Sequence, residues 1–272
     1  METSLWNSNH QLLRHVHPNA GPLTWVRNMV ASRLSTSGSQ WAAIFSRFNS
    51  GTSRAALVFS GNSRYNNQWM ILDYKLFEPR RSLQPGTLWL VEQLPGFMES
   101  ADITSVFMKQ GYWASYNEAY LPPIAAETRP PGWQRGRDHY ALDPRARAFR
   151  SMQEHATDME AMKALMRFTA RSGVCPVPCN NSQLTANEFE SMSPRFDLLL
   201  LYPSGGTDTK ITNRGLFESL EFEAVCGPSA QGVPPFSWSR SPFRGLAAHY
   251  GQPDLWNFGF VRHQWGHCTC PT

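Results

Sequence analysis

Residues 65–77 decide the fold of this chain, and they read Tyr-Asn-Asn-Gln-Trp-Met-Ile-Leu-Asp-Tyr-Lys-Leu-Phe. The stretch begins with amides, continues through the large apolar residues Trp69 to Leu72, and ends on charged and aromatic side chains. A strand with one exposed face alternates apolar and polar residues, whereas a continuous apolar run is typical of a strand covered on both faces. The stretch therefore predicts a central sheet strand with helices packed above and below it.

Two helices are predicted before this strand, because apolar residues recur there at helical spacing. Residues 1–20 show little periodicity, and we expect an ordered lead-in or a frayed terminus. Bulky aromatic residues at helical spacing are core more often than ligand contacts, so the second set is expected to pack on the sheet. The sets are Trp25, Met29, Val30 and Leu34, then Trp41, Ile44, Phe45 and Phe48.

The remainder of the chain predicts a mixed α/β (α+β) fold without internal repeats. Residues 121–137 contain Pro122, Pro123, Pro130 and Pro131 and are predicted to be a Pro-rich loop, either a boundary between lobes or a surface excursion. Thr157 and Glu160 have the spacing of a capping box, which predicts a helix that Gly173 ends. The other predicted elements are strands at 88–94, 195–202 and 220–226 and a helix at 102–110.

The composition indicates a globular chain with a substantial core. Hydrophobic residues make up 41% of the 272 residues, which is enough for one large domain or two small ones. The formal charge is +4, but the Lys and Arg residues are scattered singly, so no nucleic-acid surface is expected. No apolar stretch approaches the roughly 18 residues of a membrane span, and residues 1–20 lack the apolar core of a secretory signal.

The cysteines and histidines suggest a short disulfide-closed loop and, less strongly, a metal site. Cys175 and Cys179 are candidates for a disulfide that closes a short loop, and Asn180 begins a sequon that would permit glycosylation. A further set near the chain end has spacings that zinc can use, but such terminal pairs are usually accidental and no metal is predicted. That set is His263, His267, Cys268 and Cys270.

Several phrases of the sequence resemble, in the same order, those of the phospholipase B-like family, which is related to the N-terminal nucleophile hydrolases. One phrase is Asn49-Ser50-Gly51-Thr52 followed by residues 65–77. The family normally joins these two pieces, so residues 53–64 are predicted to be an insertion. The other phrases are residues 111–117, 143–150, 205–211, 227–238 and 251–256, and the resemblance extends over about residues 22–262.

The resemblance implies a single domain over residues 1–272, with an αββα N-terminal nucleophile hydrolase-like sandwich that is incomplete at its N-terminus. In this family the precursor cuts itself, and the new N-terminal cysteine attacks an acyl carbonyl with its own amine as base. The implied substrates are acyl esters of phospholipids or N-acyl lipids, without a cofactor. The implied partner is the N-terminal subunit of the processed precursor, and the implied location is the lysosomal lumen or secretion.

The resemblance also implies site residues. Asn117 is the candidate amide donor that stabilises the oxyanion, and the alternative is that this Asn caps a strand end. Arg145 is the candidate to orient the substrate or neighbouring carboxylates, with Arg147 as its alternative. Polar residues that would support the site without touching substrate, unless their roles are structural, are Asn66, Asn67 and Asp73.

The nucleophilic cysteine of the family has no counterpart here. Its cleavage site lies upstream of the Trp-Val-Arg-Asn helix, and no cysteine precedes that helix in this sequence. We therefore expect a hydrolase by family resemblance in a form without its catalytic cysteine. The alternative is a non-catalytic relative that binds lipid or the missing subunit. Either form is expected to expose an apolar sheet edge or face where the absent segment belongs.

Overall fold

The computed structural model describes residues 1–16, 21–49, 66–129, 139–177, 187–200, 203 and 208–266. The chain has two compact units, unit 1 from Met1 to Tyr140 and unit 2 from Ala141 to Thr272. Both units contain helices and strands, which confirms the predicted α+β class. Two compact units can belong to one domain, so the single domain and the αββα layering stay predictions. The predicted insertion at residues 53–64 lies outside the described residues.

Unit 1 is built on an antiparallel sheet with the strand order β1-β2-β3-β4. Strands β2 and β3 lie where the sequence predicts strands and pair along their whole length. Strand β1 lies in the segment expected to be an ordered lead-in or a frayed terminus, and it shows that this segment is ordered. Its short polar sequence carries no strand signal, and it forms because the edge of β2 offers it hydrogen-bond partners. The strands are β1 (Glu2–Ser4), β2 (Asn67–Leu72), β3 (Leu88–Leu94) and β4 (Phe97–Asp102).

Both faces of this sheet are covered, as the apolar run in β2 predicts. Side chains alternate between the faces along each strand. On one face Leu90 is fully buried in a cluster with Ile124, and on the other Val91 is fully buried in a cluster with Phe45. The sheet of unit 1 is therefore an inner layer rather than a half-exposed surface.

Helices α1 (Thr24–Leu34) and α2 (Gly38–Phe45) form the layer on the Val91 face. Trp41 and Phe45 of α2 are buried with their ring centroids 4.6 Å apart, which confirms their predicted packing. Gly38 permits the close approach of α2 to β3, because a Cβ there would collide with the side chain of Trp89. Phe48 corrects the prediction: it lies beyond the helix and is 69% exposed.

Helix α1 confirms the helix predicted from its apolar spacing, and its large apolar side chains are exposed. We call Trp25, Met29, Val30 and Leu34 the outer α1 face, and they are 60%, 50%, 42% and 63% exposed. The buried positions of the helix are Thr24, Arg27 and Ala31. Helical spacing shows which residues share a face, but it does not show which face is buried. The close contact with α2 buries the face that carries the smaller residues Thr24 and Ala31.

The remaining helices of unit 1 are short. Helix α3 (Thr104–Gln110) confirms the predicted helix, and Gly111 ends it with a left-handed backbone. Helix α4 (Pro122–Glu127) corrects the prediction of an uninterrupted loop at residues 121–137. Its two prolines occupy the first helical turn, where a missing N–H costs little. Helix α5 (His139–Leu142) crosses the boundary between the units.

Unit 2 contains shorter elements, and three of its strands form a sheet in the order β5-β6-β9. Strand β6 confirms the predicted strand at residues 220–226. The helices are α6 (Pro144–Met152), α7 (Met159–Met166) and α8 (Arg214–Glu218). The strands are β5 (Thr209–Ile211), β6 (Phe222–Val225), β7 (Phe236–Ser237), β8 (Leu255–Trp256) and β9 (Val261–His263).

Two local predictions in unit 2 are wrong. Helix α7 is capped by Asp158 rather than Thr157, since the Asp158 side chain accepts from the N–H of Ala161, and it ends at Met166 rather than at Gly173. The predicted strand at residues 195–202 begins instead with a 3-10 helix, Phe196–Leu199, within the described residues. Apolar residues alone favoured the strand, but Asp197 folds back onto Arg195 and gives the backbone a compact turn.

A buried ionic network stabilises this part of unit 2. Arg195 is 1% exposed and forms a bidentate pair with Asp197, at 2.8 Å for each of the two N–O contacts. Its Nη1 also donates to the carbonyls of Ser229 at 2.6 Å and Pro234 at 2.8 Å. The guanidinium therefore ties the turn after residue 195 to residues 229–234.

Candidate functional site

A row of polar side chains crosses the sheet of unit 1, and we call Thr3, Gln68 and Glu92 the polar row. Thr3 lies opposite Gln68, and Gln68 lies opposite Glu92. Residues that are opposite in an antiparallel sheet share a face, so the row spans about 10 Å over three neighbouring strands. The same face also carries Leu90 and Leu94, which are buried in an apolar cluster.

Glu92 is fully buried at one end of the polar row. Gln68 Nε2 donates to Glu92 Oε1 at 2.5 Å, and the N–H groups of Tyr120 and Leu121 donate to the two carboxyl oxygens at 2.8 Å each. Burial raises the pKa of the Glu92 carboxyl, while these three donors act in the opposite direction. Burial dominates, so the site favours a proton on Glu92 at higher pH than water does.

The oxygen of the Gln68 amide supports this protonation. Gln68 Oε1 is buried and has no hydrogen-bond partner among the described residues. If the amide turns over, Oε1 can accept the proton of a neutral Glu92, and the 2.5 Å separation suits an O–H···O bond. The polar row can therefore hold a proton away from solvent.

Aromatic rings surround the Glu92 end. Tyr140 lies with its ring centroid 5.8 Å from Trp113, 5.2 Å from Tyr116 and 5.4 Å from Tyr120. The Tyr140 hydroxyl donates to the carbonyl of Ala114. Burial raises the pKa of Tyr140 far above its ordinary value, and neighbouring phenols and Glu92 add to this effect. Tyr140 therefore remains protonated and acts as a hydrogen-bond donor.

Asn117 lies at the other end of the row, where it holds strand β1. Its Nδ2 donates to Thr3 Oγ1 at 3.0 Å and to the carbonyl of Ser4 at 2.9 Å. Its own carbonyl accepts from the N–H of Trp6 at 2.7 Å. The backbone of Asn117 has a φ of +60°, a left-handed conformation that Asn adopts more readily than most residues. Its role as oxyanion donor stays a prediction, and a substrate oxygen would have to replace Thr3 as acceptor of one N–H.

The segment 117–121 therefore crosses the polar row from end to end. Asn117 bonds to Thr3 at one end, and the N–H groups of Tyr120 and Leu121 bond to Glu92 at the other. Sequence reasoning missed Glu92, although a single carboxylate in the apolar run Leu88–Leu94 was a usable signal. We infer that Glu92 fixes the position of Asn117 through this segment.

Of the supporting residues, Asn66 and Asn67 lie near Asn117 and Asp73 does not. Asn66 is fully buried and accepts at Oδ1 from Asn7 Nδ2 at 3.2 Å. Asn67 donates to the carboxylate of Glu2. Asp73 follows the opposite end of β2, about 23 Å from Asn66 by strand length. There it accepts from the N–H and Nζ of Lys75, at 3.0 Å each, and shapes a turn.

Arg145 and Arg147 belong to unit 2, on the first turns of α6. Asp143 caps this helix and accepts from Arg145, with 2.8 Å to its N–H and 3.2 Å to its Nε. Arg147 pairs with the carboxylate of Glu190, whose side chain is 1% exposed. These contacts make Arg145 part of the helix cap. Its substrate-orienting role stays a prediction.

The described residues contain two cysteines, in different states. Cys175 is disulfide-bonded, and Cys226 is an exposed free thiol just after β6. Cys179 and Asn180 lie outside the described residues, so the disulfide pairing and the glycosylation site stay predictions. His267, Cys268 and Cys270 of the possible zinc set also lie outside the described residues. The fourth member, His263, stacks on Phe222 with 4.7 Å between the ring centroids.

Within the ranges given above, His, Cys, Asp and Glu nowhere gather in groups of three or more that could hold a metal ion. In the same ranges, each helix is too short or too polar to cross a membrane.

Comparison with known proteins identifies the family. The family model described as Phospholipase B matches residues 1–263. The chain is 39% identical over 285 residues to human phospholipase B-like 2, covering 97% of this chain and 45% of the human protein. It is 36% identical over 279 residues to phospholipase B-like protein G of Dictyostelium discoideum, covering 95% of this chain and 43% of that protein.

A third relative is phospholipase B-like 1 of Bos taurus, which is 35% identical over 264 residues, covering 93% of this chain and 43% of that protein. The chain thus spans about half the length of the curated relatives it matches. The matched region includes the polar row, segment 117–121 and both arginines of α6. The chain therefore belongs to the phospholipase B-like family.

Proposed function

We propose that this chain is part of a hydrolase that transfers acyl groups of lipids to water. The observation that carries the proposal is the family match over residues 1–263. Its substrates are acyl esters of phospholipids or N-acyl amides, which share a carbonyl that a nucleophile attacks. In both reactions an oxyanion develops and needs fixed N–H donors.

Unit 1 is proposed to supply that donor. Asn117 presents an amide on a backbone that Glu92, Tyr120 and Leu121 hold through hydrogen bonds of 2.8 Å. A donor that is already oriented costs no reorganisation when charge develops. Asn66 and Asn67 support β1 and β2 next to it. The proposed role of Arg145, to orient a substrate or neighbouring carboxylates, is a separate proposal.

The nucleophile is proposed to be a cysteine that lies outside these 272 residues. Cys175 is unsuited because its sulfur is already in a disulfide, and a cysteine attacks a carbonyl only as a free thiolate. Cys226 is a free thiol, so its replacement tests whether a cysteine of this chain acts as the nucleophile.

The experiment measures fatty-acid release from phosphatidylcholine vesicles and from an N-acyl ethanolamine. The 272-residue chain is assayed alone and after mixing with the part of the human relative outside the matched 45%. We expect no release by the chain alone, release by the mixture, and a kcat about 10²–10³-fold lower with Asn117→Ala in the mixture. Turnover by the chain alone that survives Cys226→Ser would contradict the assignment of the nucleophile.

The outer α1 face favours a second candidate, in which this chain binds the rest of the longer family protein without turnover. Trp25 and Leu34 are 60% and 63% exposed on that face, and such apolar clusters mark interaction sites. The proposed occupant is the N-terminal subunit of the processed precursor, because the chain spans 45% of the human relative.

Binding to the unmatched part of the human relative separates the candidates. Replacing Trp25 and Met29 by Ser should weaken that complex at least tenfold, by about the transfer energy of two apolar side chains. Leu246→Ser, at a position 82% exposed in unit 2, is the matched control and should leave it unchanged. A stable complex without fatty-acid release supports the second candidate alone.

The location is proposed to be the lysosomal lumen or the extracellular space. The disulfide of Cys175 supports this, because disulfides persist in the secretory pathway and are rare in the cytosol.

A further inference from the structure

Residues 238–254 connect β7 to β8 in unit 2, and we call them the β7–β8 loop. The ends of this loop are tied together, because β7 pairs with β8 and the N–H of Trp238 donates to the carbonyl of Asp254 at 2.9 Å. The Asp254 carboxylate also accepts from the N–H of Ser239 at 2.6 Å and from its hydroxyl at 2.8 Å. A surface loop with closely tied ends keeps a defined shape.

The β7–β8 loop has an aromatic core of its own. Phe243 is buried in a cluster with Phe236 and Trp238. The ring of His249 stacks on Trp238 with 4.4 Å between the ring centroids. Trp238 Nε1 also donates to Gln252 Oε1 at 3.2 Å. Because these contacts fix the loop from inside, the side chains on its outer surface are held in place as well.

Two large side chains of the loop lie outside this core. Leu246 is 82% exposed and Tyr250 is 96% exposed, and their neighbours in the chain are the small residues Gly245, Ala247 and Gly251. A protein partner would need a matching pocket for each projecting side chain, whereas the acyl boundary of a lipid layer covers apolar side chains of any arrangement. The tyrosine ring suits that boundary, because its hydroxyl stays among the polar headgroups.

The charges of the loop complement a lipid surface of negative charge. Residues 240–253 contain Arg240 and Arg244 but no Asp or Glu, and both arginines are exposed. The carboxylate of Asp254 lies at the base of the loop, where it is bonded to Ser239. Cations beside exposed apolar side chains attract anionic headgroups and so favour lipid over a neutral partner.

We propose that the β7–β8 loop docks this protein onto an anionic lipid bilayer, with Leu246 and Tyr250 inserted at the acyl boundary and Arg240 and Arg244 among the headgroups. The proposal goes beyond the hydrolysis of lipid, because docking needs neither a nucleophile nor turnover. Binding to vesicles therefore tests it whether or not the chain releases fatty acid.

Co-sedimentation of the 272-residue chain with lipid vesicles measures the docking. Vesicles of phosphatidylcholine with about 30% phosphatidylserine should bind the chain about tenfold or more tightly than vesicles of phosphatidylcholine alone, since each cation near an anionic membrane strengthens binding about fivefold. Added salt should bring the two affinities closer together, because it screens the attraction between the arginines and the headgroups. Equal affinities at low salt would overturn the proposal.

The apolar contribution is tested by Leu246→Ser and Tyr250→Ser. Each should weaken binding to the phosphatidylserine vesicles about tenfold, because each removes a large side chain from the acyl boundary. The matched control is Leu220→Ser, at a position of unit 2 that is 62% exposed and lies beside Glu221. This control should leave vesicle binding unchanged, and equal losses in all three variants would contradict docking through the loop.

The charge contribution is tested by Arg244→Gln. This variant should bind the phosphatidylserine vesicles about fivefold more weakly, and its binding to phosphatidylcholine vesicles should stay unchanged. The control is Arg262→Gln, which removes a cation that is already paired with Glu221 and should have a smaller effect. An equal loss in both variants would show that the total charge of the chain, rather than the loop, attracts the vesicles.

Two further measurements separate lipid from protein as the occupant of the loop. Vesicle binding should persist after the unmatched part of the human relative is added, and release from the vesicles would mean that this part covers the loop. Sedimentation equilibrium should show no self-association that depends on Leu246. Dimers that Leu246→Ser abolishes would show that a second copy covers the loop, and either result would overturn the proposal.

Discussion

Arg195 in unit 2 and Arg27 in unit 1 are buried almost equally, at 1% and 4% exposed, but their surroundings are opposite. Arg195 has a carboxylate and two carbonyls around its guanidinium. Arg27 donates from Nη2 to the carbonyl of Phe45 and lies 4.4 Å above the Phe45 ring. Its Nε and Nη1 have no partner among the described residues.

The difference shows that burial alone does not decide what a charged side chain contributes. Burial lowers the pKa of Arg27 to about 10, which measures how poorly its surroundings replace water. Removing a well-bonded charge leaves its partners unsatisfied, whereas removing a poorly bonded one relieves a cost. The predictions below test this contrast, in order of expected effect.

The largest effect is expected for Arg195→Met. The substitution leaves Asp197 and the carbonyls of Ser229 and Pro234 without their donor, so the free energy of unfolding should fall by about 3–5 kcal/mol. Urea denaturation of the whole chain measures it. Arg262→Met removes an Arg that is 56% exposed and paired with Glu221, and should cost less than about 1 kcal/mol. Equal losses in both variants would refute the contrast.

Glu92→Gln should be less stable than the original chain by about 1–3 kcal/mol at pH 4, because the new amide NH₂ cannot accept from the backbone N–H that a carboxyl oxygen accepts. Burial raises the pKa of Glu92 above the ordinary value of 4.5. The folded chain therefore keeps this proton where the unfolded chain has lost it. The contribution of Glu92 to the stability is therefore fully present below pH 4.5 and is lost as pH rises through the raised pKa.

The Gln variant has no proton to lose, so the gap between the two chains should narrow as pH rises. Urea denaturation between about pH 4 and pH 8 measures both curves. Glu78→Gln, at a side chain 57% exposed, is the control and should run parallel to the original chain. If the stability of Glu92→Gln also changed with pH in parallel with that of the original chain, a raised pKa of Glu92 would be excluded.

Asn117→Ala should cost about 2 kcal/mol, since it loses the bonds to Thr3 and Ser4 and strains a left-handed backbone. Asn117→Gly loses the same bonds without the strain and should be about 1 kcal/mol more stable than the Ala variant. Leu220 also has a positive φ, at 55°, but is 62% exposed. Leu220→Gly should therefore leave the stability unchanged, and thermal denaturation of all three variants measures these effects. Equal losses of stability at both positions would contradict the proposed role of the Asn117 side chain.

The smallest effect is expected for Arg27→Met, within about 1 kcal/mol of the original chain in either direction. Methionine fills most of the same volume and leaves only the Phe45 carbonyl without its donor. Arg33→Met on the exposed side of α1 is the matched control. A loss as large as that of Arg195→Met would mean that Arg27 is as well compensated as Arg195.

Strong local patterns were predictable. The apolar runs at Trp69–Leu72 and Leu88–Leu94 became strands, and Gly111 ended a helix, because each signal depends on few neighbouring residues. The four Leu residues after Asp197 were misleading, since the ion pair with Arg195 favours a 3-10 helix there. Of the site, Asn117 was identified from the family phrase, but the partners of its amide were not predictable.

The sequence by itself determined the family, the α+β class and the two inner strands, because these depend on residue order and local periodicity. Only the tertiary structure decided that α1 turns its apolar side outward, that a polar N-terminal segment pairs with β2, and that Glu92 accepts from a segment 28 residues away. Those outcomes depend on contacts between segments that are distant in the sequence. The burial and the partners of a side chain are set by these contacts and not by its neighbours in the chain.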